Sequence, residues 1–128
     1  MENTKLKLEY MLKAGSSHLL WSIISTPMGL ETWFADKVWQ EEKVYSFQWG
    51  RTEIREAKLL HTRANSFIRF HWLDDEDINS FFEFRIDYNE LTFEYMLTIT
   101  ECIDPAEHED QKELWDLSVE NLRRVTGL

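Results

Sequence analysis

The sequence has little of several residue types, and each shortage excludes a class of protein. Its 128 residues include one cysteine, so no disulfide can form within the chain. With four glycines and two prolines, few positions remain for a glycine-rich loop that would hold a phosphate group. No apolar run approaches the roughly 20 residues of a membrane-spanning helix, and the first residues lack the apolar stretch of a signal peptide. We therefore expect a cytoplasmic protein without a membrane span.

Positive charge is also scarce. The chain carries 14 lysines and arginines against 24 aspartates and glutamates, which gives a net charge of −10. Such a chain repels the phosphates of nucleic acids and of anionic membranes, so nucleic acid is not an expected partner. Aromatic side chains, in contrast, make up 14% of the residues and include six tryptophans. Large flat side chains in this proportion either fill a core or form the walls of a pocket.

The C-terminal segment predicts one long helix. Asp104 is a suitable N-cap, Pro105 fits the first helical position, and Gly127 is suited to end the helix. About 20 helical residues form a rod of roughly 30 Å, which is long enough to cross a small domain. Helical spacing predicts an inner face, flanked by Trp115 and Val119, that consists of Leu114, Leu117, Ser118, Asn121, Leu122 and Val125.

The remainder of the chain predicts mostly strands. Apolar and polar residues alternate over residues 5–12, which indicates a first strand. Two short helices follow, the second over residues 27 to about 34. Short polar gaps then separate strand-like runs, as in antiparallel hairpins, at residues 37–40, 44–49, 51–60, 66–72, 80–88 and 92–101.

Alternation within the later strands predicts which side chains point inward. The apolar inward set is Ile68, Phe70, Trp72, Phe82, Phe84, Ile86, Phe93, Tyr95, Leu97 and Ile99, and the outward set is Arg69, His71, Glu83, Arg85, Glu94 and Thr98. One apolar face requires a partner, and the long helix is the element available to cover it. We therefore predict a single α+β domain over residues 1–128, in which a curved antiparallel sheet of about seven strands wraps around the C-terminal helix.

Several segments resemble a known superfamily. The order of elements, the segment T-P-M-G-L-E-T-W-F-A-D at residues 26–36 and the helix L-W-D-L-S-V-E-N-L at residues 114–122 resemble the helix-grip or START-like (SRPBCC) superfamily. The segments I-R-F-H-W-L-D-D-E-D (68–77) and F-F-E-F-R-I (81–86) are similar to those of small bacterial START-like proteins related to activators of the heat-shock-90 ATPase. The resemblance implies a helix-grip fold with a cavity, between sheet and helix, for apolar ligands such as lipids, polyketides or sterols.

The inward aromatics and the inner helix face are the candidate cavity lining. The set is Trp33, Phe34, Phe47, Trp49, Phe70, Trp72, Phe82, Phe84, Tyr95, Leu114, Ser118, Asn121 and Leu122. The residues leave two interpretations open, because these side chains can surround a cavity or fill a solid core. Trp33 and Phe34 can likewise gate a pocket or seal the end of the fold. Ser118 and Asn121 favour a cavity, because polar groups on an inner face require partners.

The hypothesis from the sequence is a non-enzymatic module that binds a lipid-like or aromatic small molecule. The alternative is a protein-interaction module of the chaperone-activator type, or a homodimer, with an aromatic-filled interior and docking aromatics such as Phe67 or Phe81. No catalytic residue, cofactor or metal ion is expected. The acidic run at residues 74–77 lacks a calcium-loop pattern, the four histidines are scattered, and Cys102 has no basic neighbours. An enzyme would also need an acid–base pair in the cavity, and the predicted inward positions are almost all apolar.

Overall fold

The computed structural model describes residues 2–128 and contains a seven-stranded antiparallel sheet. The strands are β1 (Thr4–Leu12), β2 (Lys37–Glu41), β3 (Val44–Trp49), β4 (Glu53–Arg63), β5 (Phe67–Trp72), β6 (Phe82–Asn89) and β7 (Glu94–Ile103). Their spatial order is β1-β7-β6-β5-β4-β3-β2, so consecutive hairpins connect β2 to β7, and β1 pairs with β7 at the other edge. The predicted α+β class, with about seven antiparallel strands and a long C-terminal helix, is confirmed.

Two short helices follow β1, as predicted. In α1 (Ser17–Ser25) the Ser16 side chain accepts a hydrogen bond from the backbone N–H of Leu19 at 3.3 Å, which caps the helix. In α2 (Pro27–Glu31) the Thr26 side chain caps the first turn, and the helix is shorter than the predicted 27 to about 34. Residues 32–34 continue as a turn, and the N–H groups of Phe34 and Ala35 both donate to the carbonyl of Leu30, at 2.9 and 3.2 Å.

The long helix α3 (His108–Thr126) follows a single 3-10 turn at Pro105–Glu107. The Asp104 side chain accepts from the N–H of Ala106 at 2.9 Å, so the predicted cap stands before the 3-10 turn. At the other end Gly127 adopts φ 78° and donates to the carbonyl of Arg123 at 2.8 Å, which confirms the predicted C-cap.

The three helices lie against the inner face of the sheet. α1 packs on β5 and β6, and α3 contacts β1 and reaches β6 through Trp115. Between β4 and β5 the pairing register shifts around Leu60, and such a bulge bends a strand and helps a sheet to curve. The core under this curve includes the fully buried rings Phe47, Phe70, Phe82 and Phe84, with aliphatic side chains from β1, α1, α2, β7 and α3.

The buried face of α3 differs from the predicted one. Trp115, Val119 and Leu122 are buried, whereas Leu114 and Leu117 are 57% and 62% exposed and Val125 is exposed as well. The predicted inner face is therefore wrong for these three exposed residues. The helix is rotated so that Trp115 is buried in place of the neighbouring Leu114. Burying an indole ring removes more apolar surface from water than burying a leucine side chain does.

The strand faces follow the predicted alternation, except that one side chain does not point inward and two outer side chains are not solvated. Phe93 was expected to point inward, but it lies in the turn before β7 with φ 57° and is 77% exposed. Glu83 and Thr98 were expected on a solvated outer face, yet both are buried. The long side chains of Arg69 and Arg85 bend back over this face to reach Glu83, and the Thr98 hydroxyl donates to the Asp87 carboxylate at 2.9 Å.

Candidate functional site

A groove with a volume of about 630 Å³ opens between α3 and one end of the sheet's inner face. The end of β3, the start of β4, the end of β5 and β7 form its floor, and the segment from α2 to β2 forms one side. Its lining consists of Glu31, Trp33, Phe34, Ala35, Asp36, Trp49, Glu53, Arg55, Trp72, Glu101, Gln111, Leu114, Trp115, Leu117, Ser118 and Asn121. Cavities of about 300–1,000 Å³ are typical of small-molecule sites.

Aromatic rings form the apolar wall of the groove. Phe34 stacks on Trp115 with ring centroids 5.3 Å apart and planes 5° apart, and it meets Trp49 edge to face at 5.5 Å. The indole N–H of Trp49 donates to the carbonyl of Phe34 at 2.8 Å. Phe34 also contacts the core rings Phe47 and Phe84. The wall is therefore held in place by the core behind it.

One buried carboxyl group lies in the floor of the groove. The Glu101 side chain, in a residue that is 5% exposed, accepts hydrogen bonds from the Gln111 amide at 2.7 and 3.3 Å. Burial raises the pKa of Glu101 above its ordinary value, with a smaller contribution from the charge of Glu107. The hydrogen bond from Gln111, the nearby indole N–H of Trp115 and the charge of Arg55 oppose this shift in the pKa.

Trp115 places a buried donor beside this carboxyl group. Its indole N–H lies close enough to Glu101 to favour the charged carboxylate, but it does not reach hydrogen-bond geometry. Throughout residues 2–128 it is the one buried side-chain polar atom without a partner. Such groups normally have partners in folded proteins, so this corner of the groove is polar but incompletely satisfied.

The groove carries more negative than positive charge. Glu31, Asp36 and Glu53 join Glu101 in its lining, and Arg55 is the basic residue there. The Arg55 guanidinium lies over the Trp72 ring, 4.0 Å from its centroid, and donates to both carboxylate oxygens of Asp74 at 2.8 and 2.7 Å. These bonds hold the pKa of Asp74 below its ordinary value. Much of the Arg55 charge is therefore already balanced.

The structure divides the predicted cavity residues into two groups. Those on the groove are Trp33, Phe34, Trp49, Trp72, Leu114, Ser118 and Asn121. The others do not line the groove, and they are Phe47, Phe70, Phe82, Phe84, Tyr95 and Leu122. All but Tyr95 of this second group are fully buried in a core where aromatic rings pack on one another, and Tyr95 packs on Tyr88 at 4.9 Å.

Trp33 seals the end of the core and does not gate an opening. Its indole N–H donates to the carbonyl of Ile23 at 3.1 Å, and the side chain is buried beside Phe84 at 5.2 Å. Phe34 is half-buried between this core and the groove.

The prediction missed the polar residues of the floor, although a signal for one was present. Glu101 continues the inward series of Tyr95, Leu97 and Ile99 at every second position of β7, so alternation alone would have placed it inside. Gln111 lies four residues before Trp115, on the same face of α3. Arg55 carried no such signal, since its placement depends on pairing with Asp74 from another part of the chain.

Other charged clusters are used within the fold. In the acidic loop, Asp74 binds Arg55 and Asp75 accepts from the Ser80 hydroxyl at 2.7 Å. Within residues 2–128, no group of three or more His, Cys, Asp or Glu side chains is arranged to hold a metal ion. Over the same residues, none of the helices has the length and hydropathy needed to span a membrane.

A curved antiparallel sheet that holds a long C-terminal helix, with a groove between the two, defines the helix-grip class of proteins. A family model described as a START-like superfamily domain matches residues 1–128, and the chain belongs to this superfamily. Domains of this superfamily typically bind hydrophobic ligands.

Solved structures agree with this assignment. The chain is 53% identical to BfR322 from Bacteroides fragilis, known from a solution NMR structure, with 100% of this chain and 94% of that chain covered and a TM-score of 0.67. It also shares its fold with the Aha1 dimer from Colwellia psychrerythraea (13% identity, 95% and 96% covered, TM-score 0.75). Protein MLL2253 from Mesorhizobium loti has the fold too (15% identity, 97% of both chains, TM-score 0.79). No curated protein matches the chain.

Proposed function

We propose that this protein is a non-enzymatic module that binds a small, largely apolar molecule in the groove beside α3. The observation that carries the proposal is an open volume of about 630 Å³ with a wall of tryptophan and phenylalanine rings. Phe34, Trp49 and Trp72 are only partly buried. A ligand that covered these rings would remove their remaining apolar surface from water, which is favourable for binding. The typical use of this superfamily supports the same conclusion.

The wall is suited to binding because its rings are already held in place. Phe34 is fixed between Trp115 and the core, and Trp72 stacks on Phe82 with centroids 4.6 Å apart. A ligand that stacks on these faces orders few side chains when it binds, so little conformational entropy is lost.

The arrangement of polar groups supports binding more than catalysis. General acid–base catalysis requires a titratable group positioned to exchange a proton with the reacting atom. Glu101 is the buried carboxyl group of the groove, and its hydrogen bonds come from an amide. Among residues 2–128, no second titratable side chain forms a hydrogen bond with it.

Native mass spectrometry of the purified protein, with a panel of neutral aromatic and lipid-like molecules, tests the proposal. Bound mass or uptake from the panel is expected. The variant Ser118→Trp places an indole in the groove and should abolish uptake, whereas Glu120→Trp adds the same group on the exposed side of α3 and should not. Uptake that survives Ser118→Trp would contradict a ligand site in this groove, and no uptake of any panel member would contradict a site for neutral ligands there.

The second candidate function is a protein-interaction module or homodimer, favoured by one observation. The turn between β6 and β7 exposes Leu91 and Phe93, two large apolar side chains that a partner would cover. Phe67 and Phe81 give less support, because the guanidinium groups of Arg85 and Arg69 lie over them at 4.3 and 4.0 Å. Analytical ultracentrifugation tests this candidate. Self-association of the chain that is lost in the variant Phe93→Ser would favour it, and a monomer at all concentrations would exclude the homodimer.

A further inference from the structure

We propose that the ligand of the groove carries a positively charged nitrogen, an amine or quaternary ammonium group, which lies against Glu101 with its apolar part on the aromatic wall. This inference rests on the proposed binding function and narrows it to organic cations. It depends on the charge balance of the groove, on the state of Glu101 and on the faces of the tryptophan rings.

The charge balance favours a cation. Four carboxylates and one guanidinium line the groove, and the guanidinium is bound to Asp74. Asp36 accepts from the backbone N–H of Gly50, which leaves its charge in place. Glu31, Asp36 and Glu53 lie on the exposed rim, where solvent weakens their effect, and they add to the negative charge of the buried Glu101.

Glu101 provides a specific contact point for the cation. A buried carboxylate is costly unless it is paired, and ordinarily the fold supplies the partner. Within the described chain, no lysine, arginine or histidine lies within ion-pair distance of Glu101. Burial raises the pKa of Glu101, and Gln111 and the indole N–H of Trp115 oppose this shift without supplying a positive charge. A ligand ammonium group would supply the missing charge.

The aromatic wall suits the same ligand. The electron-rich faces of tryptophan attract cations, and rings grouped around a charged nitrogen are a recurrent way to bind ammonium groups. The groove already shows one such contact, since the Arg55 guanidinium lies 4.0 Å from the centroid of the Trp72 ring. Trp49 and Trp115 offer further indole surface within the same groove.

Other ligand charges fit less well. An anion would face Glu101 and the acids of the rim, and like charges in a recessed site are strongly unfavourable. A fully apolar ligand would cover Glu101 without giving it a partner, which leaves the cost of the buried charge unchanged.

Three indole compounds of matched shape test the inference. Tryptamine is a cation at neutral pH, tryptophol is neutral, and indole-3-acetate is an anion. Titration of each into 15N-labelled protein, followed through the indole N–H signals, gives three dissociation constants. We expect tryptamine to bind about tenfold more tightly than the other two, as expected for one ion pair with cation–π support. Glu101→Gln should abolish this preference, whereas Glu120→Gln, on the exposed side of α3, should retain it.

The outcomes separate this inference from the binding function. Equal affinities for the three compounds would overturn the positive charge of the ligand. A preference for tryptamine that survives Glu101→Gln, in a variant with an unchanged amide spectrum, would overturn its contact with Glu101. Either result leaves the groove as a binding site. Binding of tryptophol or of the neutral panel, without binding of tryptamine, would also overturn the positive charge of the ligand and leave the groove as a binding site. Failure of all three compounds and of the neutral panel would overturn both proposals.

Discussion

The two buried glutamates of the sheet lie in opposite environments. Glu83, 4% exposed on the outer face, is bonded to Arg69 at 2.9 Å and to Arg85 at 3.1 Å. Glu101, 5% exposed on the inner face, accepts side-chain hydrogen bonds from the amide of Gln111. On the outer face the fold supplies two cations for one carboxylate, whereas none of the basic side chains in residues 2–128 forms an ion pair with Glu101. The difference indicates that the outer face is complete in itself and that the groove is not.

Apolar packing shows the same contrast. Phe82 is fully buried, stacked between Phe70 at 5.1 Å and Trp72 at 4.6 Å. Trp72 continues this stack but is only half-buried, because its other side belongs to the groove. The aromatic core therefore ends at an open edge. The closed and open regions should therefore differ in stability as they differ in packing.

The largest effect is expected from Phe84→Ala in the closed region. Phe84 is fully buried and contacts Phe34, Phe82 and Trp115, so its loss should lower the free energy of unfolding by about 4 kcal/mol. Phe93→Ala removes the same ring from a 77% exposed position and should change it by less than about 0.5 kcal/mol. Denaturant unfolding measures both. A similar loss of unfolding free energy in the two variants would contradict the placement of Phe84 in the core and of Phe93 outside it.

A second pair of variants tests the rotation of α3. Leu122→Ala removes a fully buried side chain and should lower the free energy of unfolding by about 3 kcal/mol. Leu114→Ala, on the same helix but 57% exposed at the rim of the groove, should cost less than about 0.5 kcal/mol. If Leu114→Ala cost as much as Leu122→Ala, the helix would present the face predicted from its sequence, which includes both residues.

Breaking the paired carboxylate should have a smaller effect. Glu83→Gln leaves two arginines without their anion, and we expect a loss of about 2 kcal/mol, less than for a fully buried pair because the arginine side chains are about one-third exposed. Glu90→Gln, in an exposed turn, is the control and should have almost no effect. A stable Glu83→Gln variant would mean that the two arginines do not depend on this carboxylate.

Much of the fold was predictable from the sequence because its signals are local. Strand alternation, the Asp104 and Gly127 caps and the polar turns each depend on neighbouring residues, and the structure contains them apart from the exposed Phe93 and the buried Glu83 and Thr98. The face of α3 was not predictable in this way. Leu114 and Trp115 are adjacent apolar residues, and which one is buried depends on rings from β6 and on Phe34, which lie far away in the chain.

The groove was harder to predict than the fold. Periodicity separates inner from outer side chains, but it does not show where a gap remains between the inner side chains of the sheet and those of the helix. Phe70 and Trp72 share one face of β5, yet Phe70 lies within the core and Trp72 lies at its open edge. The position of that edge depends on how far α3 and the segment before β2 extend over the sheet, which is a property of the whole fold.

The smallest expected change in stability, and the only gain, is for Glu101→Gln. Burial raises the pKa of Glu101 in the folded state, so between the ordinary carboxyl pKa and this raised pKa the folded protein binds more protons than the unfolded one. The free energy of unfolding of the wild type therefore falls as pH rises through that window. Glutamine retains a carbonyl that can accept from Gln111 but does not titrate. The variant should match the wild type at acidic pH and have a higher Tm at neutral pH.

Melting curves of both proteins across pH 4 to 8 measure this difference. A Glu101→Gln variant that is less stable at neutral pH would mean that the carboxylate already has a stabilising partner within the chain, as Glu83 does. A variant that is more stable but no longer prefers tryptamine would show that this carboxylate is retained at a cost to stability. Such a cost is expected of a binding group whose partner is a ligand, and it is not expected of a structural ion pair.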